Sequence, residues 1–316
     1  MEYDMESRWL EDFLSLVDTR NFSRSAEARY TTQPAFSRRI KSLEDWVGAK
    51  LFDRTTQPIS LTPSGERFRP VAEEVLRRLL QGREDARRVS ETSANLIRFA
   101  ATHSLSLTFF PAWIRSIESG THAFNIRLDS YQFTDCIQSL IKGECHFAIS
   151  HAHPQVEMNL PPMHFTSKLV GTDRLLPVTL PDSSGAPLDR LPGTPEEPVH
   201  YLAYTEASAI GRAVDHMINH VEEPVYLSKV FVSQLAAVLK TLSREGKGMA
   251  WLPESSISEE LASGSLVLAG DEKWFIPVEI RIYRSRDPLP AMAEQLWSML
   301  DGEVEPLQVL QSEEDA

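Results

Sequence analysis

The 316-residue sequence lacks the features that define several classes of protein. Its cysteines are Cys136 and Cys145 alone, which excludes a disulfide framework and a four-cysteine zinc site. It has no run of about 18 uncharged apolar residues, so a membrane-spanning helix is excluded, and its acidic first residues lack the apolar core of a secretory signal. We therefore expect a location in the reducing cytoplasm and no membrane partner.

Common catalytic motifs are also missing. We find no Gly-rich phosphate loop, no nucleophile elbow and no histidine-rich metal pair at helical spacing. His103 and Ser104 are adjacent, but adjacency alone does not give a Ser/His couple its geometry. Three further histidines lie close together in the sequence, but alternating strand faces and the lack of an acid in register argue against a metal: His146, His151 and His153. We expect no enzyme, no metal and no cofactor.

The net charge of −13, from 45 acidic and 32 basic side chains, taken whole argues against a nucleic-acid partner. The charge is unevenly spread, because residues 1–90 hold 16 Lys and Arg against 15 Asp and Glu, which leaves 16 against 30 for the rest. The segment 20–43 has one acid, Glu27, and six basic residues: Arg20, Arg24, Arg29, Arg38, Arg39 and Lys41. Such a segment is typical of phosphate contact, although an arginine-rich solvated helix face has the same pattern.

The first 60 residues predict a winged helix-turn-helix. Apolar residues at helical spacing predict a helix over 6–19, and a short helix from Ser25 follows the N-cap residue types Asn21 and Ser23. A third helix is predicted from the N-cap Thr32 to the stop at Gly48. Polar residues and prolines between positions 52 and 61 predict a two-stranded wing.

A long helix is predicted after the wing. Pro63 opens the pattern, and Val71, Val75, Leu79 and Val89 keep approximate heptad spacing with charges on the other faces. A helix of about 25 residues of this kind is typical of a linker or a pairing helix.

Beyond residue 92, short apolar strands alternate with helices, which predicts a parallel sheet in an α/β domain. Strands are predicted at 96–101, 124–129, 145–150, 199–204, 249–252 and 279–283, with 226–232 extended. Helices are predicted at 105–117, 136–142, 234–243 and 292–300. Five prolines make 181–198 a loop, and the acidic residues 311–316 are predicted to be disordered.

Five motifs together resemble the N-terminus of LysR-type transcriptional regulators: Trp9-Leu-Glu-Asp-Phe-Leu, Asn21-Phe-Ser-Arg-Ser-Ala-Glu, Gln33-Pro-Ala-Phe-Ser-Arg-Arg-Ile-Lys-Ser-Leu-Glu, Gly48-Ala-Lys-Leu-Phe-Asp-Arg and Leu61-Thr-Pro-Ser-Gly-Glu. The resemblance implies an α/β chain with a winged helix-turn-helix DNA-binding domain (1–63), a linker and dimerisation helix (64–92), a two-lobed periplasmic-binding-protein-like effector domain (93–304) and an acidic tail (305–316). Lobe I would comprise about 93–168 and 272–304, and lobe II about 169–271. Homodimers or homotetramers are implied as well.

A narrower likeness concerns the hypochlorite-responsive branch of that family. It is carried by three segments: Ala101-Thr-His-Ser-Leu-Ser-Leu, Phe231-Val-Ser and Gly248-Met-Ala-Trp-Leu-Pro-Glu. The likeness transfers no oxidation site. Cys136 and Cys145 are candidate redox residues, but a reactive thiol needs exposure and a lowered pKa, and a buried structural cysteine is the commoner alternative.

The candidate DNA contacts lie on the third helix, whose N-terminal end would meet base edges in the major groove. Gln33, Ser37 and Arg38 share one helix face, where Gln suits adenine and Arg suits guanine. The other candidates would contact phosphate, cap the helix or lie near the wing: Thr31, Thr32, Arg39, Lys41, Arg54 and Thr56.

The candidate effector contacts follow from the rule that open α/β sheets bind ligands beyond the carboxyl ends of their strands. They are Thr102, His103, Ser104, Tyr204, Thr205, Phe231, Ser233 and Trp251. Hydroxyls and helix N-terminal amides at such positions suit an anion or a polar group, while simple helix capping by Ser104 is the alternative.

These predictions describe a regulator that binds double-stranded operator DNA and whose binding is controlled by a small effector or an oxidant. The alternative is a small-molecule receptor without sequence-specific DNA binding, in which the basic segment is incidental.

Overall fold

The chain, seen here as a computed structural model, is described over residues 5–90, 96–118, 124–156, 160–300 and 307–308. It divides into two compact units, Met1–Thr92 and Ser93–Ala316. None of the helices in these described ranges is long and apolar enough to cross a membrane.

The first unit contains three helices, a small wing and a long helix, as predicted. The helices are α1 (Ser7–Thr19), α2 (Phe22–Ala28), α3 (Gln33–Val47) and α4 (Pro63–Ser90), and the wing pairs β1 (Phe52–Asp53) with β2 (Ser60–Leu61) in antiparallel fashion. Apolar side chains from every helix and from β1 form one core. Its fully or almost fully buried members include Leu10, Phe13, Leu16, Ala26, Phe36, Ile40, Leu43, Phe52 and Ala72.

Helix ends in this unit follow the capping residues. Asn21 accepts hydrogen bonds from the N–H groups of Ser23 and Arg24, so α2 begins three residues earlier than the predicted start at Ser25. At the other end of α3, Gly48 has φ +77°, a left-handed conformation that favours glycine and ends the helix as predicted.

The second unit is built on one large mixed sheet. In chain order its elements are β3 (Leu96–Thr102), α5 (His103–Thr108), α6 (Phe110–Ile117), β4 (Asn125–Tyr131), α7 (Phe133–Ile141), β5 (Phe147–Ala152), β6 (Phe165–Thr179), β7 (Val199–Tyr204), α8 (Ala209–His220), β8 (Leu227–Ser233), α9 (Ala236–Arg244), β9 (Ala250–Pro253), α10 (Ser258–Ala262), β10 (Val267–Leu268), β11 (Ile276–Ser285), α11 (Ala291–Met299) and β12 (Leu307–Gln308). The main sheet has the order β10-β6-β11-β5-β3-β4, with β9 and β12 also paired to β6, and β7 pairs with β8 in parallel.

Two long antiparallel strands, β6 and β11, run through both lobes. Val170 of β6 and Ile280 of β11 lie in the core of lobe I, whereas Leu175 and Val278 lie in the core of lobe II. The register between the strands shifts between Ile280 and Arg281, close to this change of core. The sheet therefore contributes to cores in both lobes, which confirms the predicted two-lobed α/β class; the lobe boundaries at 168 and 272 stay predictions.

Several elements differ from the sequence-based expectation. The predicted helix 105–117 is broken into α5 and α6, because Pro111 lacks the N–H that a continuous helix would use. Strand β6 was not predicted, since its apolar residues do not alternate cleanly over its length. Helix α8 was also not predicted, although Ile210, Val214 and Met217 follow helical spacing.

The C-terminal prediction falls mostly outside the described residues. Leu307 and Gln308 form β12, which pairs in parallel with Gly171 and Thr172 of β6. The segment 311–316, predicted to be disordered, lies outside the described ranges.

Candidate nucleic-acid interface and effector cavity

Helix α3 has one buried face and one polar face. Phe36, Ile40 and Leu43 are fully buried against α1 and the rest of the first core. The opposite face carries exposed Gln33, Arg38 and Lys41 with half-buried Ser37 between them. The structure thus brings four of the predicted DNA contacts onto one side of the helix, which we call the reading face: Gln33, Ser37, Arg38 and Lys41.

The turn before α3 adds a side chain that the sequence analysis missed. Tyr30 is 99% exposed and has φ +50°, a left-handed conformation unusual for a residue other than glycine. Thr32 occupies the N-cap position, but its side chain makes no capping hydrogen bond, so its hydroxyl is not used by the helix. Thr31 is half-buried beside it. The full exposure of Tyr30 beside α3 makes it a candidate DNA contact. Its residue type alone does not indicate this.

Arg39 does not share the reading face. At 100° per residue it lies about 170° from the centre of that face, and its Nε donates to the carboxylate of Asp12 on α1. Asp12 is fully buried and also accepts from Nε of Arg29 at 3.1 Å. The guanidinium of Arg39 therefore joins α3 to α1, and the structure gives no support to the phosphate contact predicted for it.

The wing residues are organised by a second buried carboxylate, Glu44. Its oxygens accept the backbone N–H groups of Leu51 at 3.0 Å and Phe52 at 3.3 Å. They also form ion pairs with Lys50 at 3.1 Å and Arg54 at 3.2 Å. Burial alone would raise the pKa of Glu44, but these hydrogen bonds and charges hold its pKa below the ordinary value.

The two predicted contacts in the wing are partly engaged in structure. Besides its pairing with Glu44, Arg54 lies over the ring of Phe22 at 5.2 Å. Thr56 donates to the carbonyl of Asp53 at 3.2 Å and bonds the hydroxyl of Ser60 at 2.9 Å. Both side chains remain exposed although each also has a partner within the first unit.

Helix α4 carries an apolar stripe that the first unit does not bury. Val71, Val75 and Leu79 are four residues apart and are 52%, 41% and 55% exposed. Residues at this spacing lie on one side of a helix. The side chain of Val89, the fourth member of the predicted repeat, lies outside the described side chains.

In the second unit, a cavity of about 50 Å³ lies between the lobes. Three helices of at least nine residues begin at its wall, α7, α8 and α9. The lining comes from strand–helix junctions of both lobes and from one further strand residue: 102–104, 131–133, 204–205, 207–210, 234–236 and His151. We call this the effector cavity.

The chemistry of the effector cavity favours an anion or a polar group. The hydroxyls of Thr102, Tyr204 and Thr205 are buried and make no hydrogen bond among the described residues. Burial raises the pKa of Tyr204, which keeps its phenol a donor. No Asp or Glu is among the described lining residues, and the N-terminal ends of helices carry partial positive charge.

Behind the cavity wall lies a buried ionisable pair. Nε2 of His151 is 3.7 Å from Oδ2 of Asp173 on β6, and both side chains are at most 3% exposed. Ser255, which follows β9 in lobe II, donates its hydroxyl to the same Oδ2 at 2.6 Å and its N–H to Oδ1 at 3.3 Å. His103 is held differently, by a 2.9 Å hydrogen bond between Nδ1 and the hydroxyl of Ser130.

Three of the predicted effector residues lie away from this lining. Trp251 is fully buried in the lobe II core, where Nε1 donates to the carbonyl of Trp274 at 2.9 Å. Phe231 is 41% exposed on β8. The hydroxyl of Ser233 accepts the N–H of Leu235 at 3.1 Å and so caps the turn into α9. The remaining five line the effector cavity: Thr102, His103, Ser104, Tyr204 and Thr205.

Sequence reasoning missed the other half of the lining. The segments 131–133 and 207–210 are also strand–helix junctions, and Gln132 and Ser208 occupy the N-cap positions of α7 and α8. The rule that selected Thr102 would have selected them as well, had α8 and the end of β4 been predicted. The inward position of His151 follows from strand register, which the sequence alone does not show.

The two candidate redox cysteines are buried free thiols. Burial raises the pKa of Cys136 to about 12 and the pKa of Cys145 to about 12. A thiol with such a pKa has almost no thiolate at neutral pH, so the structure gives the predicted redox role no support.

A histidine pair on α8 was overlooked in the sequence. His216 and His220 are four residues apart, and their rings stack at 4.1 Å. His153 lies 5.2 Å from the His216 ring, while Nε2 of His216 bonds Oε1 of Gln155 at 2.7 Å. Within the described parts of the chain, no group of three His, Cys, Asp or Glu side chains is arranged to hold a metal ion.

Comparisons with known proteins agree with this arrangement. Residues 7–66 match the model of the bacterial regulatory helix-turn-helix proteins of the lysR family, and residues 90–305 match the LysR substrate binding domain. The HTH-type transcriptional regulator YjiE of Escherichia coli K12 is 32% identical over 298 residues, which cover 94% of this chain and 95% of that protein.

Solved structures show the same likeness over the whole length. DarR of Vibrio fischeri, solved in complex with DNA, is 35% identical with a TM-score of 0.55, over 95% of this chain and 99% of that one. Full-length HypT of Salmonella typhimurium, a hypochlorite-specific LysR-type transcriptional regulator, is 31% identical with a TM-score of 0.56, over 95% and 98% of the two chains.

A winged helix-turn-helix with an exposed reading face, in one chain with a two-lobed ligand-binding fold, defines a DNA-binding transcriptional regulator. The chain belongs to the LysR family of these regulators, with the helix-turn-helix at its N-terminus and the substrate-binding domain after it.

Proposed function

We propose that this regulator reads operator DNA with the reading face of α3 and that a small anionic or polar effector in the effector cavity controls its DNA binding. One observation carries the second half of the proposal: three buried hydroxyls without partners among the described residues and three helix N-termini meet in a cavity whose described lining has no acid. Hydroxyl donors and helix N-termini in the wall stabilise negative charge.

The DNA half of the proposal assigns separate tasks to the exposed side chains. Gln33, Ser37 and Arg38 contact base edges, where a bidentate pair discriminates by about 1–3 kcal/mol per base pair. Lys41 and Thr32 contact phosphate, and exposed Tyr30 packs against the sugar–phosphate backbone. Phosphate contacts supply affinity that falls with salt, and the base contacts supply the specificity.

The control step follows from which elements line the effector cavity. Residues 102–104, 131–133 and His151 come from lobe I, and 204–205, 207–210 and 234–236 come from lobe II. A ligand in contact with both sets stabilises the arrangement in which they are close. The ligand can shift the equilibrium between two states of the regulator only by as much as its affinities for the two states differ.

A second copy of the chain is the proposed partner of α4. Its exposed stripe of Val71, Val75 and Leu79 would be covered by the same stripe of another protomer, giving a homodimer or, by further pairing, a homotetramer. Two reading faces on one assembly match a partly palindromic operator. Cytoplasmic action on chromosomal DNA follows from this proposal.

The solved relatives bear on the chemical nature of the signal that the effector domain senses. HypT is a hypochlorite-specific regulator, and its regulatory domain has been solved with a bromide ion bound. That domain is 26% identical to this chain, with a TM-score of 0.55, over 67% of this chain and 96% of the domain. The bromide complex supports the choice of a small anion as the effector. An oxidant signal is the second candidate, but buried Cys136 and Cys145 do not favour it.

The DNA half is tested by fluorescence anisotropy with DNA from upstream of the regulator's own gene. Gln33→Ala and Arg38→Ala are expected to lose preference for this DNA while keeping non-specific binding. Arg244→Ala removes one positive charge from the second unit and is the matched control, expected to retain the preference. Unchanged preference in the two α3 variants would contradict the assignment of the reading face.

The effector half is tested by thermal unfolding of the full chain with sodium bromide and small carboxylates at constant total salt. Thr205→Val keeps the side-chain shape and removes one of the buried hydroxyls, so it is expected to weaken the stabilisation by the anion. Stabilisation that is the same in the variant would place the anion elsewhere.

A further inference from the structure

The effector cavity has a charged residue just behind its wall. His151 lines the cavity, and the carboxylate of Asp173 is 3.7 Å beyond its Nε2. Burial alone would raise the pKa of Asp173, but the interaction with His151 and the hydrogen bonds from Ser255 and from the N–H of Arg174 lower it. Asp173 is therefore a buried anion at neutral pH.

A buried carboxylate so close to an anion site creates an electrostatic conflict. Charges of like sign repel more strongly in a protein interior than in water, because the interior screens them less. The 3.7 Å separation is too long for a good neutral hydrogen bond, so a neutral imidazole leaves the Asp173 charge largely uncompensated on this side. A protonated imidazole would stand between the two negative charges and attract both.

We infer that the effector cavity binds its anion together with one proton, and that His151 carries this proton. The inference rests on the proposed anionic effector. In the step, an imidazole nitrogen of His151 takes a proton from solvent as the anion enters, and it returns the proton as the anion leaves. The bound state is a row of alternating charges, from the anion through the imidazolium to Asp173.

The other titratable groups around His151 do not take this role. His103 of α5 lines the same cavity, but it is exposed and bonded to Ser130. Tyr204 of β7 and Tyr131 of β4, which also lines the cavity, stay protonated because burial raises the pKa of both phenols. On β11, Ile280 pairs with His151, so its neighbours Glu279 and Arg281 project to the other face of the sheet, where they pair with each other at 2.6 Å.

The same residues connect the bound proton to lobe II. Asp173 lies on β6 between Val170 of the lobe I core and Leu175 of the lobe II core, and it holds both the N–H and the hydroxyl of Ser255. An imidazolium at His151 pulls on a carboxylate that already anchors lobe II. Binding of the anion and its proton thereby strengthens the contact between the lobes.

The test is the pH dependence of bromide affinity, measured on the full-length protein by broadening of the bromide nuclear magnetic resonance line. The affinity is expected to fall as the pH rises, by about tenfold per pH unit where the anion-free cavity carries no proton, because one proton is bound with each anion. A flat dependence between about pH 5.5 and pH 8.5 would overturn the inference and leave the anion site standing. Absence of bromide binding at every pH would overturn the proposed anionic effector, and the inference with it.

Three variants test whether His151 is the residue that carries the proton. His151→Gln is expected to bind bromide weakly and without pH dependence. Asp173→Asn removes the repelling charge, so it is expected to bind bromide more tightly than the unmodified protein at high pH, again without pH dependence. His153→Gln, outside the cavity lining, is the matched control and is expected to keep the tenfold dependence.

Two outcomes would refute the assignment to His151. Loss of the pH dependence in His103→Gln, with the dependence kept in His151→Gln, would move the proton to His103. Weaker binding by Asp173→Asn at high pH would show that its carboxylate does not oppose the anion. Circular dichroism and thermal unfolding of each variant separate these results from loss of the fold.

Discussion

Asp12 offers the sharpest test of how the reading face is held in place. Its carboxylate is fully buried in α1 and joins two arginines that come from different helices of the helix-turn-helix, Arg29 at the end of α2 and Arg39 in α3. Asp12→Asn keeps the size and shape of the side chain but removes the charge. The two guanidinium groups would then face each other without a shared anion, and α3 would lose its polar attachment to α1.

The expected magnitude follows from the burial of the three groups. Removal of one partner from a fully buried ion pair costs about 3–5 kcal/mol. Here the arginines are 30% and 21% exposed, so water compensates part of the loss, and we expect about 2–3 kcal/mol of reduced stability in the first unit. Local opening of this unit should therefore become roughly 30- to 150-fold more frequent.

Hydrogen exchange with mass spectrometry on the full chain measures this opening unit by unit. Peptides from α1 and α3 should exchange faster in Asp12→Asn, while peptides from the second unit should not change. Glu11→Gln is the matched control, because Glu11 is 43% exposed and pairs with Arg29; it should cost less than about 0.5 kcal/mol.

Asp12 and Arg39 are expected to act as a pair. Asp12→Asn combined with Arg39→Gln should therefore cost at least about 1 kcal/mol less than the sum of the single variants. Additive losses, or a loss in Asp12→Asn no larger than in Glu11→Gln, would refute the claim that this buried carboxylate holds α3.

Three further outcomes are expected. The pKa of Glu44 is lowered in the fold, so its stabilising effect is present at neutral pH and is lost as pH falls; exchange rates of the wing should differ between Glu44→Gln and the unmodified protein at pH 7 and converge below about pH 4. Since the pKa values of Cys136 and Cys145 are raised to about 12, iodoacetamide at pH 7.5 should label the native thiols at least roughly a hundredfold more slowly than the unfolded ones, and fast labelling would contradict their burial. Val75→Asp puts a charge into the α4 stripe and should shift the assembly toward monomers in analytical ultracentrifugation; unchanged sedimentation would exclude the stripe as the pairing surface.

The reading face was predictable because local signals determine it. Thr32 at the N-cap position, Gly48 at the C-terminal end and the helical spacing of Phe36, Ile40 and Leu43 define where α3 begins, where it ends and which side of it is polar. Arg39 shows the limit of this reasoning. Its type suits phosphate, but its direction depends on Asp12, a residue 27 positions earlier in the sequence.

The effector cavity was only half predictable for a similar reason. Thr102 and Tyr204 end strands that were recognised, whereas Ser208 begins a helix that was not. Trp251 also lies on a recognised strand, yet its indole is in the lobe II core, where Nε1 donates to the carbonyl of Trp274. Which end of a strand faces a cavity is decided by pairing across the sheet, and a single sequence does not contain that information.

The shared strands β6 and β11 also bear on how the second unit loses its structure. Each contributes side chains to both cores, with Val170 and Leu175 on one strand and Ile280 and Val278 on the other. Neither lobe can unfold without disrupting strands that the other lobe also uses. The two lobes are therefore expected to unfold in one cooperative step. For the same reason, a peptide cut between the lobes would leave two fragments that fold together or not at all.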